Sequence, residues 1–182
     1  RLGEKPLLAT WFDAATLCAA EGKRLCEPAE WKHACAGDNA LQYSSTDDVS
    51  GLESLADFGL RFCNTARSYH STVEDGIAES GSYSNCQSGK GVYDLTGNLR
   101  EWTGEVDTFG DWLAGSSLSN VTLDEPDSGT TCASIERFEF TPLQGAQFDF
   151  SDPTSIQQFL SELSADQRQQ LDQPLTGFRC CR

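Results

Sequence analysis

The stretch "GVYDLTGNLREW", residues 91 to 102, sets two acids, Asp94 and Glu101, among Val92, Tyr93, Leu95, Leu99 and Trp102, in what otherwise reads as a buried strand. Carboxylates in such a place can do one of two things. They can supply hard oxygen ligands to a divalent cation. Alternatively, Glu101 pairs with Arg100 or Lys90 while Asp94 caps a turn, and the residues by themselves leave these two readings even. The second chemistry-bearing set is eight cysteines, at 18, 26, 35, 63, 86, 132, 180 and 181. No CxxC occurs and only His33 and His70 could add imidazole, so zinc spacing is absent. An even count at scattered positions, with one adjacent pair, reads as four disulfides formed in an oxidising compartment. Eight cysteines allow 105 pairings, and spacing does not choose among them.

The other candidate chemistries are weaker. His33 sits on a predicted helix, where a lone histidine is usually a packed or surface residue. A Ser–His–Asp triad has no GxSxG turn to support it, and the carboxylates are too many for one acid–base pair to stand out. A net charge of −15 and a pI near 4.3 argue against nucleic acid and anionic membranes as partners. No apolar run reaches 18 residues, so no membrane span is expected. With no methionine and no leader, the chain reads as a mature form or a fragment.

The elements that would position these residues are few. A chain of 182 residues is most simply one domain. Thr10 to Glu21 reads as a helix capped by Thr10 and closed by Gly22, with Phe12, Ala15, Cys18 and Ala19 as its apolar stripe. "EPAEWKHACAG" reads as a second, with Pro28 in its first turn, Gly37 beyond its end, and Trp31, Ala34 and Cys35 facing inward. From Gly37 to about Gly89 no period persists, so disulfides or ions must hold the chain. "ASIERFEF" alternates as a strand, and residues 154–171 place Ile156, Phe159, Leu160 and Leu163 at helical spacing. "LTGFRCCR" ends the chain as a short strand. Asn120 opens a glycosylation sequon, and Tyr43, Phe109 and Trp112 are candidate exposed loop aromatics for a binding surface.

Three stretches in order, "WFDAATLCAAEGKRLCEPAEWKHACAG", "GVYDLTGNLREWT" and "TGFRC", resemble the formylglycine-generating enzyme (sulfatase-modifying factor) family. The resemblance covers most of the chain from Thr10 to Arg182. It implies an α+β, C-type-lectin-like fold: two main helices, twisted antiparallel strands and much irregular loop. On this reading residues 1–182 form a single domain lacking its first strands, with 145–175 a helical insertion that could offer a partner surface.

The resemblance also implies one or two Ca2+ ions. One would take the side chains of Asp94 and Glu101 with the carbonyls of Gly97 and Leu99. The other would take Asn64, the Thr65 carbonyl, Asp75 and the Ile77 carbonyl, with Ile77 standing where the family has an aromatic. It implies bridges from Cys18 to Cys180 and from Cys35 to Cys132. Cys63 and Cys86 bracket the second calcium stretch and would close it if bonded, and Cys26 and Cys181 are then left for each other.

The family's enzyme oxidises a client cysteine to formylglycine with copper(I) held by two cysteines, a soft-ligand site that hydroxyls cannot replace. Here the first of those positions falls at about Ser119, and no thiol follows before Cys132. The expectation is therefore a secreted, periplasmic or cell-surface module that binds calcium and a protein or glycan ligand and has lost the oxidase site. The alternative is an active oxidase of the formylglycine type, and an assembly role in a larger surface protein is a third reading.

Overall fold

A computed structural model describes residues 2–45, 62–64, 77–106, 111–115, 131–132, 135–139, 152–166 and 177–182. Thr65, His70, Asp75, Phe109, Ser119 and Asn120 lie outside the described residues, as does the predicted helix beyond residue 166. The chain divides into two compact units, each discontinuous in sequence: residues 1–6, 29–100 and 115–136 form the first, residues 7–28, 101–114 and 137–182 the second.

The second unit holds most of the regular structure. Helix α1 spans Trp11–Ala20. Thr10 Oγ1 accepts from the Asp13 N–H at 3.2 Å and donates to the Asp13 carboxylate at 2.8 Å, so cap and acid hold each other. At the other end Gly22 takes φ +68°, its N–H bonds the Ala19 carbonyl, and the Lys23 N–H reaches back to Cys18. That pair of bonds satisfies carbonyls the last turn would leave open, and the left-handed position favours glycine. The buried face is Trp11, Phe12, Ala14, Ala15 and Cys18, wider than the predicted stripe, and Ala19 is only partly covered.

Strand β1, Arg24–Leu25, pairs antiparallel with β6, Cys180–Cys181. A four-stranded sheet runs in the order β4 (Ile135–Glu139), β3 (Asp111–Gly115), β2 (Glu101–Val106), β5 (Gly177–Phe178), with β2 and β5 parallel. The predicted terminal strand is thus two short ones, split at Arg179. Two tryptophans join these parts: Trp11 Nε1 donates to the Thr103 carbonyl at 2.8 Å and Trp102 Nε1 to the Ala9 carbonyl at 2.9 Å. Each buried indole therefore has the partner that burial demands.

Gly104 brings β2 against β1. Its N–H donates to the Cys26 carbonyl at 2.9 Å, and a Cβ built there would lie 3.0 Å from the Leu25 carbonyl oxygen. Backbone faces backbone, so neither side can move aside cheaply. Gly104→Ala should cost about 1–3 kcal/mol as an overpacked contact, read as a lower midpoint in urea with an unchanged slope.

Helix α3, Pro153–Glu162, begins at Asp152, whose carboxylate accepts from the N–H groups of Thr154 and Ser155. The predicted helix over 154–171 is interrupted after Glu162: Leu163 leaves helical geometry at ψ 137° and buries its side chain with Phe159 in the α1 core, and residues 165–166 are helical again. Phe159 stacks on Phe12 with ring centroids 5.3 Å apart. These two apolar residues thus complete this unit's own core.

The Thr154 N–H, and then the Ser155 hydroxyl, hold the Asp152 carboxyl below its usual value. A lowered folded value means that the cap's contribution is present above the ordinary carboxylate range and is lost as pH falls through it. Far-UV circular dichroism between pH 6 and 3 should show helix loss that Asp152→Asn, which does not titrate, lacks.

The first unit is organised around two disulfides. Helix α2, Pro28–Ala36, places Trp31 and Cys35 against Leu95, Cys132 and Val92. Tyr43, Phe62 and Tyr83 pack on the Cys63–Cys86 bridge. Tyr43, expected to be exposed, is therefore half-buried against sulfur, as an amphipathic ring beside an apolar staple should be. His33 is exposed, its Nε2 3.9 Å from Asp38, which also holds Lys90 at 2.7 Å.

Candidate calcium centre and the disulfide frame

All eight cysteines are bonded: Cys18 to Cys180, Cys26 to Cys181, Cys35 to Cys132 and Cys63 to Cys86. Each bridge lies within one of the two units.

Residues 91 to 100 are not strand. Gln87 pairs with Tyr93 across a tight turn, the Asp94 N–H bonds the Cys86 carbonyl at 3.1 Å, and regular pairing begins again only at Glu101. Between them three residues, Asp94, Gly97 and Asn98, take φ of +60°, +81° and +63°. Such a cluster keeps the segment from running on as a strand, and only Gly, Asn and Asp tolerate these angles readily. The Leu99 N–H bonds the Gly97 carbonyl at 2.9 Å around Asn98, the rarer positive-φ form of the three-residue turn. Apolar spacing suggested a strand because Leu95 and Leu99 are both buried, but they reach the interior from a folded turn.

Asp94 is nine-tenths buried, and its Oδ2 accepts from the Gly81 N–H at 2.8 Å and the Ser80 hydroxyl at 3.2 Å. It therefore caps the turn closed by the Ser82 N–H on the Glu79 carbonyl. Glu101 falls in the other unit, where its Oε2 meets Arg179 Nε at 2.7 Å. The partners weighed from sequence were Arg100 and Lys90; Lys90 instead reaches Asp38. Parallel pairing of Glu101 with Gly177 brings Arg179 within reach, a register that local sequence cannot express.

Of the second set, Asn64 and Ile77 are described, both buried. Asn98 ties their segments together: its Oδ1 accepts from Asn64 Nδ2 and from the Ala78 N–H, both at 2.9 Å. Its Nδ2 donates to the Ala78 carbonyl at 3.1 Å. Its own N–H bonds the Asn64 carbonyl at 2.9 Å. Asn98 and Arg179 are the two site residues that sequence reasoning passed over. Both stand inside motifs quoted above, and asparagine's tolerance of positive φ was the one signal for Asn98.

Among the described residues no group of three or more His, Cys, Asp or Glu side chains gathers around a point. A cation held by Asp94 or Asn64 would need backbone and amide oxygens as well. That donor set suits calcium and does not suit zinc or copper.

A discontinuous, disulfide-framed α+β chain with these motifs in this order defines a class, and the family comparison places it. The model of the sulfatase-modifying factor enzyme 1-like domain matches residues 4–182. The chain belongs to that family. No curated protein matches its sequence. A solved structure, that of CarF, is similar at a TM-score of 0.48 and 18% identity over 72% of this chain. The chain spans 61% of CarF's length.

Proposed function

We propose that the chain is a calcium-binding, disulfide-bonded member of the family that works outside the reducing cytoplasm and binds a protein or glycan ligand instead of oxidising a client cysteine. The observation that carries this reading is the commitment of every cysteine to a bridge. Copper(I) in the family's oxidase needs a thiolate pair, and each sulfur here already has a structural partner. Four disulfides fit an extracellular setting, and no helix among the described residues is long and apolar enough to cross a membrane.

Calcium is supported by the state of Asp94. Its carboxylate is nine-tenths buried and held through Oδ2 by the Gly81 N–H and the Ser80 hydroxyl, a fixed hard-oxygen donor of the kind calcium takes, with the Gly97 and Leu99 carbonyls close to it in sequence. Asn64, Thr65, Asp75 and Ile77 would hold the second ion. Bound calcium would stiffen irregular loops and supply no redox chemistry.

The test has two arms. The protein unfolded without reductant should show no free thiol and no tight copper(I) binding. Two free thiols together with copper(I) binding and oxidation of a cysteine peptide would establish the alternative, an active formylglycine-type oxidase. Thermal melts should then rise on replacing chelator with calcium. At a hundred times its Kd, one ion adds about 2.7 kcal/mol, or roughly 5–10 °C at this size. Equal melting in both conditions would end the calcium reading, and glycan and peptide arrays address the ligand.

A further inference from the structure

We propose that the Cys26–Cys181 bridge is a thiol–disulfide exchange site, opened by an external dithiol that attacks the Cys181 sulfur while the other three bridges stay closed. Neither calcium nor the module's binding ligand enters this step.

The four bridges are not covered alike. Cys35, Cys63 and Cys86 are fully buried and Cys132 is 3% exposed. Cys18 is fully buried in the α1 core, and Cys180 packs on that core. Six cysteines thus belong to the apolar clusters formed by the described residues, and Cys26 and Cys181 belong to none of them. Cys181 is half-buried. Exchange needs an incoming thiolate to reach a disulfide sulfur, so access selects this bridge first.

The strand register separates it from its neighbour. Arg24 stands opposite Cys181 and Leu25 opposite Cys180, and one step further along the ladder the Cys26 N–H bonds the Arg179 carbonyl at 3.2 Å. Side chains alternate between the faces of a strand. Leu25 and Cys180 therefore turn to the α1 core, while Cys26 and Cys181 share the opposite face with Arg24 and with Arg179, which pairs with Glu101. A sulfur leaves more readily as thiolate beside guanidinium groups than from apolar surroundings. Cys26 is thus a better leaving group than Cys18, the sulfur that attack at Cys180 would expel.

Opening is also reversible by construction. Cys18–Cys180 fastens the residue next to Cys181, and the β1–β6 pairing and the bond from the Gly104 N–H to the Cys26 carbonyl involve no sulfur. The two thiols stay within reach of each other. In the step itself, one thiolate of the dithiol bonds to Cys181 Sγ, the bond between the two protein sulfurs breaks, and Cys26 leaves as thiolate. The second thiol of the dithiol then displaces Cys181 from the mixed disulfide. The bridge takes up two electrons and two protons, and the dithiol departs as its own disulfide.

Partial reduction of the native, fully bridged protein tests this. After exposure to dithiothreitol and an acid quench, thiols are alkylated and mapped by mass spectrometry. Cys26 and Cys181 should be labelled together, at least about tenfold faster than any other pair. Near-UV circular dichroism should be unchanged while only that pair is open, and oxidised glutathione should close it again. A lead of less than about tenfold, another pair opening first, or loss of the near-UV signal as this pair opens would overturn the proposal. Cys26→Ala and Cys181→Ala, each retaining one thiol of the pair, identify the attacked sulfur. Toward oxidised glutathione the Cys181 thiol should react at least about tenfold faster than the Cys26 thiol, and a smaller or reversed difference would overturn Cys181 as the point of attack. Should either variant fail to fold, the order of labelling in the wild type decides alone.

Discussion

Removing either of the two bridges at the C-terminus should cost about 3 kcal/mol, and removing both about 8 kcal/mol, so that the pair is far from additive. The reason is topological. Cys18–Cys180 and Cys26–Cys181 span 162 and 155 residues, but they share both ends of nearly the same loop. With either bond intact, the other closes only a small ring of about ten residues through the β1–β6 pair. Were the bridges independent, each would restrict a loop of some 160 residues and each removal would cost about 5 kcal/mol. Urea unfolding of Cys18→Ser with Cys180→Ser, of Cys26→Ser with Cys181→Ser, and of all four together distinguishes the cases. Single-bridge losses near 5 kcal/mol would reject the nested picture. A loss near 8 consumes most or all of the stability of a chain this size, so the fourfold variant should be largely unfolded at 25 °C. Cys63–Cys86 closes a separate loop of 23 residues in the other unit, and its removal, worth about 3 kcal/mol, should add independently.

What could be read in the sequence follows which signals are local. The cap at Thr10, the stop at Gly22 and the inward face of α2 rest on contacts within a few residues, and the structure places them as the spacing suggests. The bridges are non-local, and no spacing rule reaches Cys180 from Cys18; ordered family motifs supplied those partners. Errors arose where burial was achieved without periodicity. Leu95 and Leu99 are buried from a turn with three positive φ values, and Leu163 is buried by leaving a helix. In each case hydrophobic spacing reports that a side chain is inside and says nothing of the backbone that takes it there. Tyr43 illustrates the converse, since a loop composition of Ser and Asp hid a neighbouring disulfide on which the ring packs. The Asn98 hydrogen bonds and the Arg179 partner of Glu101 needed segments 20 to 78 residues away. Residue identity could mark Asn98 as fit for an unusual φ, while its partners depended on the fold.

Glu101→Leu should destabilise the protein by about 3 kcal/mol, and adding Arg179→Met should recover most of that loss. The pair is short, 2.7 Å, with the Glu101 side chain 10% and Arg179 26% exposed. Taking the carboxylate away removes the anion 2.7 Å from the Nε of a largely covered guanidinium, which is the costly half of breaking a buried pair. Replacing both by apolar groups removes the desolvation burden with the attraction. The partial exposure of Arg179 puts the single-variant loss at the low end of the usual range of about 3–5 kcal/mol. Strand β5 is only two residues long, and Arg179 stands between it and Cys180, so the ion pair fastens the terminal segment to β2 independently of the sulfurs. Measured in chelator, the double variant should therefore unfold at nearly the wild-type urea concentration. Added calcium tests whether the Glu101 carboxylate also serves an ion. If it does, the double variant recovers stability in chelator yet gains less from added calcium than the wild type does. An undiminished calcium response in the double variant would confine Glu101 to holding Arg179 and leave Asp94, Gly97 and Leu99 to be completed by other oxygens.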